Sequence, residues 1–184
     1  MKKKRWRVPR TILGIVLSLF VAYWVLDLVR WTIKGQVVDA DTGKPIQGAV
    51  VAIDWWEAAF GPPGLSTSKD MEVSEDTSDA QGNFHVPKYA TFGLGREFNM
   101  VVYKHGYVLW SSWKIFPSYA ERKDFSLRSG MKIKLQPFKE EYSKEAHAMF
   151  VSHMQPLIGA RKFTSAVKSE NELAAELVRK NWGK

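Results

Sequence analysis

The 184-residue chain has no cysteine, only four histidines and no acidic residue before Asp27. Without cysteine there is no disulfide framework, no thiolate metal site, no cysteine nucleophile and no lipid-modified N-terminal cysteine. The redox compartment stays open, because a protein can do without disulfides anywhere. None of His85, His105, His147 and His153 begins His-Glu-x-x-His or is followed three residues later by Glu, so zinc-peptidase spacing is absent. His147 and His153 are six apart, about 600° around a helix at ~100° per residue, and point to different sides. All four read as surface or turn histidines. Gly64-Leu65-Ser66-Thr67-Ser68 departs from the nucleophile elbow at its last position. Gly93-Leu94-Gly95-Arg96 precedes a strand instead of opening a helix, so it is no phosphate cradle. No catalytic residue, metal ligand or cofactor is expected.

What the chain does have is charge concentrated at one end. Of its 27 Lys and Arg residues, six lie between Lys2 and Arg10, so the net charge of +8 falls to +2 once this tail is set aside. A basic tail of this kind suits phosphate contacts. The run beside it, Thr11 to Leu26, has no charge at all and points to lipid instead; no nucleic-acid partner is expected.

Sixteen uncharged residues reach only about 24 Å as a helix, short of a hydrocarbon core near 30 Å. Helical continuation to Trp31 makes up the difference, with Asp27 and Arg30 spaced to pair at the interface. Trp6, Trp24 and Trp31 stand where an aromatic belt is expected. A cleaved signal peptide is the alternative, but Tyr23-Trp24-Val25-Leu26 is bulky where a processing site needs small residues. The reading is a basic cytoplasmic tail over 1–10 and a transmembrane helix over 11–31. The excess of positive charge before the span puts the N-terminus in the cytoplasm and the rest outside, in the periplasm or extracellular space, on an inner (plasma) membrane.

From Ile33 the pattern becomes short strands with turn signals. Ile33, Gly35 and Val37 alternate with Lys34, Gln36 and Val38, and Asp39 to Pro45 is dense in turn formers. Ala49, Val51, Ile53 and Trp55 make one face of a second strand. Gly61 to Asp76, rich in Pro, Gly, Ser and acids, reads as a long exposed loop, within an insertion over 60–76. Its Asp70, Glu72, Glu75 and Asp76 suit either calcium or plain solvent, and solvent is the simpler reading. Phe84 to Val86, Phe98 to Val102, Tyr107 toward Trp113, and Met131 to Leu135 supply further strands. At least six in about a hundred residues predict a mainly β sandwich.

After Pro137 the period turns helical, with a stripe of Tyr142, Ala146, Met149, Phe150 and His153 or Met154. Ser169 with Glu172 reads as a capping box, followed by Leu173, Ala174, Leu177, Val178 and Asn181. This helical extension over 139–184 suits packing on the chain's own sheet, with docking on a partner or on the bilayer surface as the alternative. Trp55 and Trp56 cannot share a strand face, nor can Trp110 and Trp113. Trp56 and Trp110 are taken as a candidate binding surface for a protein partner or, alternatively, a glycan.

Several ordered motifs carry a resemblance. Gly35-Gln36-Val37, Asp41-Thr42-Gly43-Lys44-Pro45, Gly48-Ala49-Val50-Val51, Ser78-Asp79-Ala80-Gln81-Gly82-Asn83-Phe84 and Gly106-Tyr107 follow one another as in the carboxypeptidase regulatory-like family. Ser78 stands where the family has Thr, and the insertion between the second and third strands is a larger departure. Over about residues 32–138 the chain resembles that family, which implies a transthyretin-like (prealbumin-like) β-sandwich. In such a module Asp41 and Asp79 bond turn amides, while Gly43, Gly82 and Gly106 serve turn backbone. The hydroxyisourate hydrolases of similar fold end in Tyr-Arg-Gly-Ser; this chain ends Asn181-Trp182-Gly183-Lys184. The expected function is a membrane-anchored binding or scaffold module for an envelope protein partner, without catalysis. The alternative is a cell-envelope hydrolase or a carbohydrate-binding protein that uses exposed aromatics.

Overall fold

Alternation of apolar and polar residues from Ile33 onward becomes two sheets with a shared core, in a computed structural model. It describes residues 10–30, 32–58, 68–87, 96–156 and 159–182. Trp6 and Trp31 lie outside these, and Trp24, Asp27, Arg30 and Trp56 are described as backbone alone.

The first sheet is built from β1 (Thr32–Asp39), β4 (Asn83–Pro87) and β9 (Met131–Leu135), in the order β4-β1-β9. The second holds β2 (Val50–Ala58), β3 (Ser68–Thr77), β5 (Arg96–Tyr103) and β6 (Trp110–Ser111), ordered β3-β2-β5-β6. β1 runs antiparallel to β4 and parallel to β9. A small hairpin of β7 (Lys114–Ile115) and β8 (Ala120–Glu121) follows. The sheets meet through Ile33, Val37, Phe84, Val86, Met131, Ile133 and Leu135 on one side and Val51, Ile53, Trp55, Met100 and Val102 on the other. In β9 the alternation is complete: Met131, Ile133 and Leu135 are buried while Lys132 and Lys134 are exposed.

The second sheet is covered on both faces, which makes the fold three layers. Val50, Ala52, Val101 and Tyr103 point away from the sandwich core and pack on Phe150, Val151, Met154 and Phe163. These come from α2 (Lys144–Met154) and α3 (Arg161–Ala166); α4 (Lys168–Trp182) lies against α2. A strand buried on both sides loses its period-two pattern, hence the unbroken burial from Val50 to Trp55.

Two glycines hold the first sheet together. A Cβ on Gly35 would lie 2.4 Å from Cζ of Phe84, so the ring fills the space left by the missing side chain. Gly82 has φ +75°, and a Cβ there would meet the carbonyl oxygen of Val37 at 2.4 Å.

Several expectations are corrected. The stretch read as a loop from Gly61 to Asp76 contains β3, paired with β2 from Ser68 to Thr77. An edge strand with one wet face needs little apolar content, and two of its acids are acceptors. Asp76 accepts the N–H of His85 at 2.6 Å, and Glu75 accepts those of Lys162 and Phe163 at the start of α3. The strand expected from Tyr107 toward Trp113 is only Trp110–Ser111. The buried stripe of α2 is His147, Ala148, Phe150, Val151 and Met154, rotated from the expected one, so His147 is a core residue. Ser169 sits inside α4, which starts at Lys168, and its hydroxyl donates to Glu170, so it is no N-cap.

The first helix, α1 (Arg10–Arg30), is apolar on every described side. Ile12, Ile15, Val16, Leu17, Leu19, Phe20, Val21 and Tyr23 are all exposed. Among the described residues no helix is long and apolar enough to cross a membrane.

Candidate binding groove

A concavity of ≈ 630 Å³ lies beside β9, lined by Met131 to Lys134 and Gln136. It is lined by Val108, Leu109, Trp110 and Phe116 and by residues of the irregular stretch from Arg122 to Arg128. Ala40 and Asp41, which follow β1, and Gly130, which precedes β9, also line it.

Local structure explains the lining. Leu109 is fixed from behind by α2, since Nε2 of His147 accepts its backbone N–H at 3.0 Å. Phe125 rests edge-on against Trp110, with centroids 4.9 Å apart, and so ties the irregular stretch to β6. Arg122 is tied down by its Nε donating to the carbonyl of Ser111 at 2.7 Å and by Asp124 at 3.4 Å. Its guanidinium lies 4.8 Å from the centre of the Trp110 ring, a cation–π contact. Burial pushes the Arg122 pKa down, partly opposed by Asp124, but guanidinium remains charged at neutral pH.

Four cationic side chains, Arg122, Arg128, Lys132 and Lys134, line the groove against two acids, Asp41 and Asp124. The site is a concavity with an excess of positive charge and three aromatic residues, Trp110, Phe116 and Phe125, in its lining. Among the described residues no group of three His, Asp or Glu is placed to hold a metal.

The residues singled out from sequence are placed as follows. Trp110 is buried, only 9% exposed, and contributes to the groove lining; Trp113 is the exposed member of its pair at 43%. Trp110 packs in the sandwich core against Phe125 and Arg122, which reverses the expected order. Trp113 is itself engaged, its Nε1 donating to the carbonyl of Phe98 at 3.0 Å. Trp55 is in the sandwich core beside Phe98. In the first turn the acceptor is Asp39, not Asp41: its Oδ1 takes the N–H of Asp41, the N–H of Thr42 and the Thr42 hydroxyl. These bonds, led by the Thr42 amide, hold the Asp39 carboxyl below its ordinary value. Asp79 accepts the amides of Gln81 and Asn83, and its pKa is lowered chiefly by the Asn83 bond. Gly43 and Gly106 stand in turns at the ends of the sheets. Sequence reasoning missed Arg122, Arg128, Lys132 and Lys134; only the Lys–apolar alternation of β9 signalled any of them.

No family model matches the chain, and no curated protein matches it. Solved structures of low similarity were found. One is the shaft pilin SpaA from Lactobacillus rhamnosus GG, at 15% identity and TM-score 0.33, covering 60% of this chain and 48% of the pilin. A second is the catechol 1,2 dioxygenase of Acinetobacter radioresistens, at 15% identity and TM-score 0.34, covering 61% of this chain and 53% of the enzyme. A third is a 9R-lipoxygenase from Cyanothece PCC8801, at 13% identity and TM-score 0.30 over 61% of this chain but 18% of the enzyme. The chain thus spans less than two thirds of each. At this level of similarity nothing those proteins do transfers to this chain; its two-sheet sandwich with a helical layer stands on its own coordinates.

Proposed function

We propose that the chain is a single-pass, membrane-anchored protein of the inner (plasma) membrane whose sandwich, on the non-cytoplasmic side, is a binding or scaffold module without catalysis. The observation that carries this reading is α1, whose exposed side chains from Ile12 to Tyr23 are apolar on all sides. A helix of that kind has no wet face and is stable where lipid or protein surrounds it. The described side chains cover only about 18 Å of rise, at 1.5 Å per residue; the uncharged sequence on to Leu26 supplies the rest. The ordered motifs from Gly35 to Tyr107 favour kinship with the carboxypeptidase regulatory-like modules. The alternative, a cell-envelope hydrolase or carbohydrate binder, has less support, since Trp110 is buried and Trp113 is engaged.

The absence of cysteine makes the test direct. Lys3→Cys and Lys123→Cys variants would be exposed in intact cells to a membrane-impermeant maleimide. The proposal expects labelling at position 123, none at position 3 until lysis, and a mass that retains residues 1–31. Equal labelling of both, or recovery in the soluble fraction, would overturn the anchor.

A further inference from the structure

We propose that the groove beside β9 takes an acidic, extended segment of a partner protein, which adds to the first sheet as a fourth strand. This rests on reading the sandwich as a binding module; it does not depend on the anchor.

The backbone of β9 carries the case. Leu135 gives its carbonyl to the N–H of Ala40, on the β1 side of the strand. Because backbone groups alternate between edges, those of Met131, Ile133 and Leu135 serve β1, and those of Lys132, Lys134 and Gln136 face the other way. Gln136 confirms the direction: its carbonyl accepts the N–H of Val108 at 2.8 Å. Lys132 and Lys134 therefore aim their N–H and C=O groups into the groove, and among the described residues no backbone group is bonded to them there. Among the described residues neither strand nor helix pairs with β9 on this side before the Gln136–Val108 bond, and the stretch from Met131 to Leu135 is five residues, about 16 Å at ~3.3 Å each.

The side chains say what kind of strand fits. On the outer face Lys132 and Lys134 are exposed, so a neighbouring strand meets two cations as cross-strand partners. On the inner face lies Trp110, in the core with Met131 and Ile133. A strand with acids on one face and aliphatic residues on the other satisfies both, while Arg128 adds to the positive rim. Backbone bonds supply affinity and the alternating side chains supply selectivity, as in other strand-addition sites.

The probe is a fluorescent eight-residue peptide of alternating valine and glutamate, titrated into the full chain in detergent micelles and followed by anisotropy. Saturable binding is expected, weakening about tenfold in a Lys132→Glu/Lys134→Glu variant and falling with added salt. Two versions of the peptide, N-methylated on the valines or on the glutamates, test the backbone bonds. One set points its amides at β9 and should lose binding about tenfold or more; the other should keep it. In the protein, Lys134→Pro removes a donor facing the groove without touching the β1 ladder and should weaken binding, whereas Lys134→Arg should not. Equal effects of both N-methylated peptides would overturn strand addition, leaving charge attraction alone. Equal binding of a valine–lysine peptide, or binding of an oligouronate where the peptide fails, would also overturn it. If the peptide fails while crosslinking in cells still captures a partner on another face, the groove proposal falls and the binding-module reading stands.

Discussion

Nε2 of His147, buried in α2, accepts the backbone N–H of Leu109 across 3.0 Å, so the helical layer and the groove lining share one hydrogen bond. The bond requires a neutral imidazole, because a protonated Nε2 is a donor. Burial pushes the His147 pKa below 6.5, only partly opposed by Glu170. A base whose folded pKa is depressed gives stability that is complete above the unfolded value and lost as pH falls through the folded one. Urea unfolding of the full chain in micelles should therefore show stability flat above about pH 6.5 and declining below it. His147→Gln, which keeps an acceptor near the Nε2 position, should flatten that decline. His147→Ala should cost about 3 kcal/mol at pH 8 by leaving a buried amide unpaired and a space between Phe116 and Phe138.

Glu75, on the edge strand, caps the first turn of α3 through the amides of Lys162 and Phe163, the latter at 2.7 Å. Glu75→Ala should destabilise the chain by about 1–2 kcal/mol, with Glu75→Gln intermediate. Hydrogen exchange at the Phe163 amide should accelerate in both variants. Unchanged exchange would place the helix start under other control.

Gly35 and Phe84 should behave as a coupled pair. Phe84→Ala should cost about 3–5 kcal/mol, since the ring is 3% exposed in the sandwich core. Gly35→Ala should be strongly destabilising alone, because the new methyl enters the ring and also lies 2.9 Å from the carbonyl of Met131. In the Phe84→Ala background the same change should cost less, by about 1–3 kcal/mol of coupling. Additive losses would mean that the Met131 carbonyl alone sets the penalty.

Replacing Ser68–Thr77 by a short Gly/Ser link should abolish folding of the sandwich, read as loss of the cooperative unfolding transition. The link would expose the edge of β2 and remove both the Glu75 cap and the bond that the His85 N–H donates to Asp76. A retained transition would show that β3 is dispensable to the core.

How much of this was legible depended on which face of each element is wet. β1, β4 and β9 each have one dry face, so Ile33, Phe84 and Ile133 announced their strands through simple alternation. β3 was illegible because it rests on backbone pairing to β2 and its Glu75 and Asp76 serve as acceptors, and both look like loop chemistry in a sequence. α2 was found but rotated: its stripe runs through His147, a polar residue that is core only because Leu109 offers it a donor. The groove was illegible for a related reason. Arg122 and Arg128 come from irregular chain, and nothing local to them tells that Trp110 and the edge of β9 lie opposite.

Only Trp31 separates the last residue of α1 from the first residue of β1. Tension applied through that helix therefore enters the middle strand of the first sheet along its own axis. β1 is gripped on both sides, by β4 from Thr32 to Gln36 and by β9 from Gly35 to Asp39. Hydrogen bonds lying across the direction of pull are loaded together in shear; they do not open one after another like a zipper. The sandwich thus meets α1 at the one strand of its first sheet that is held along both edges.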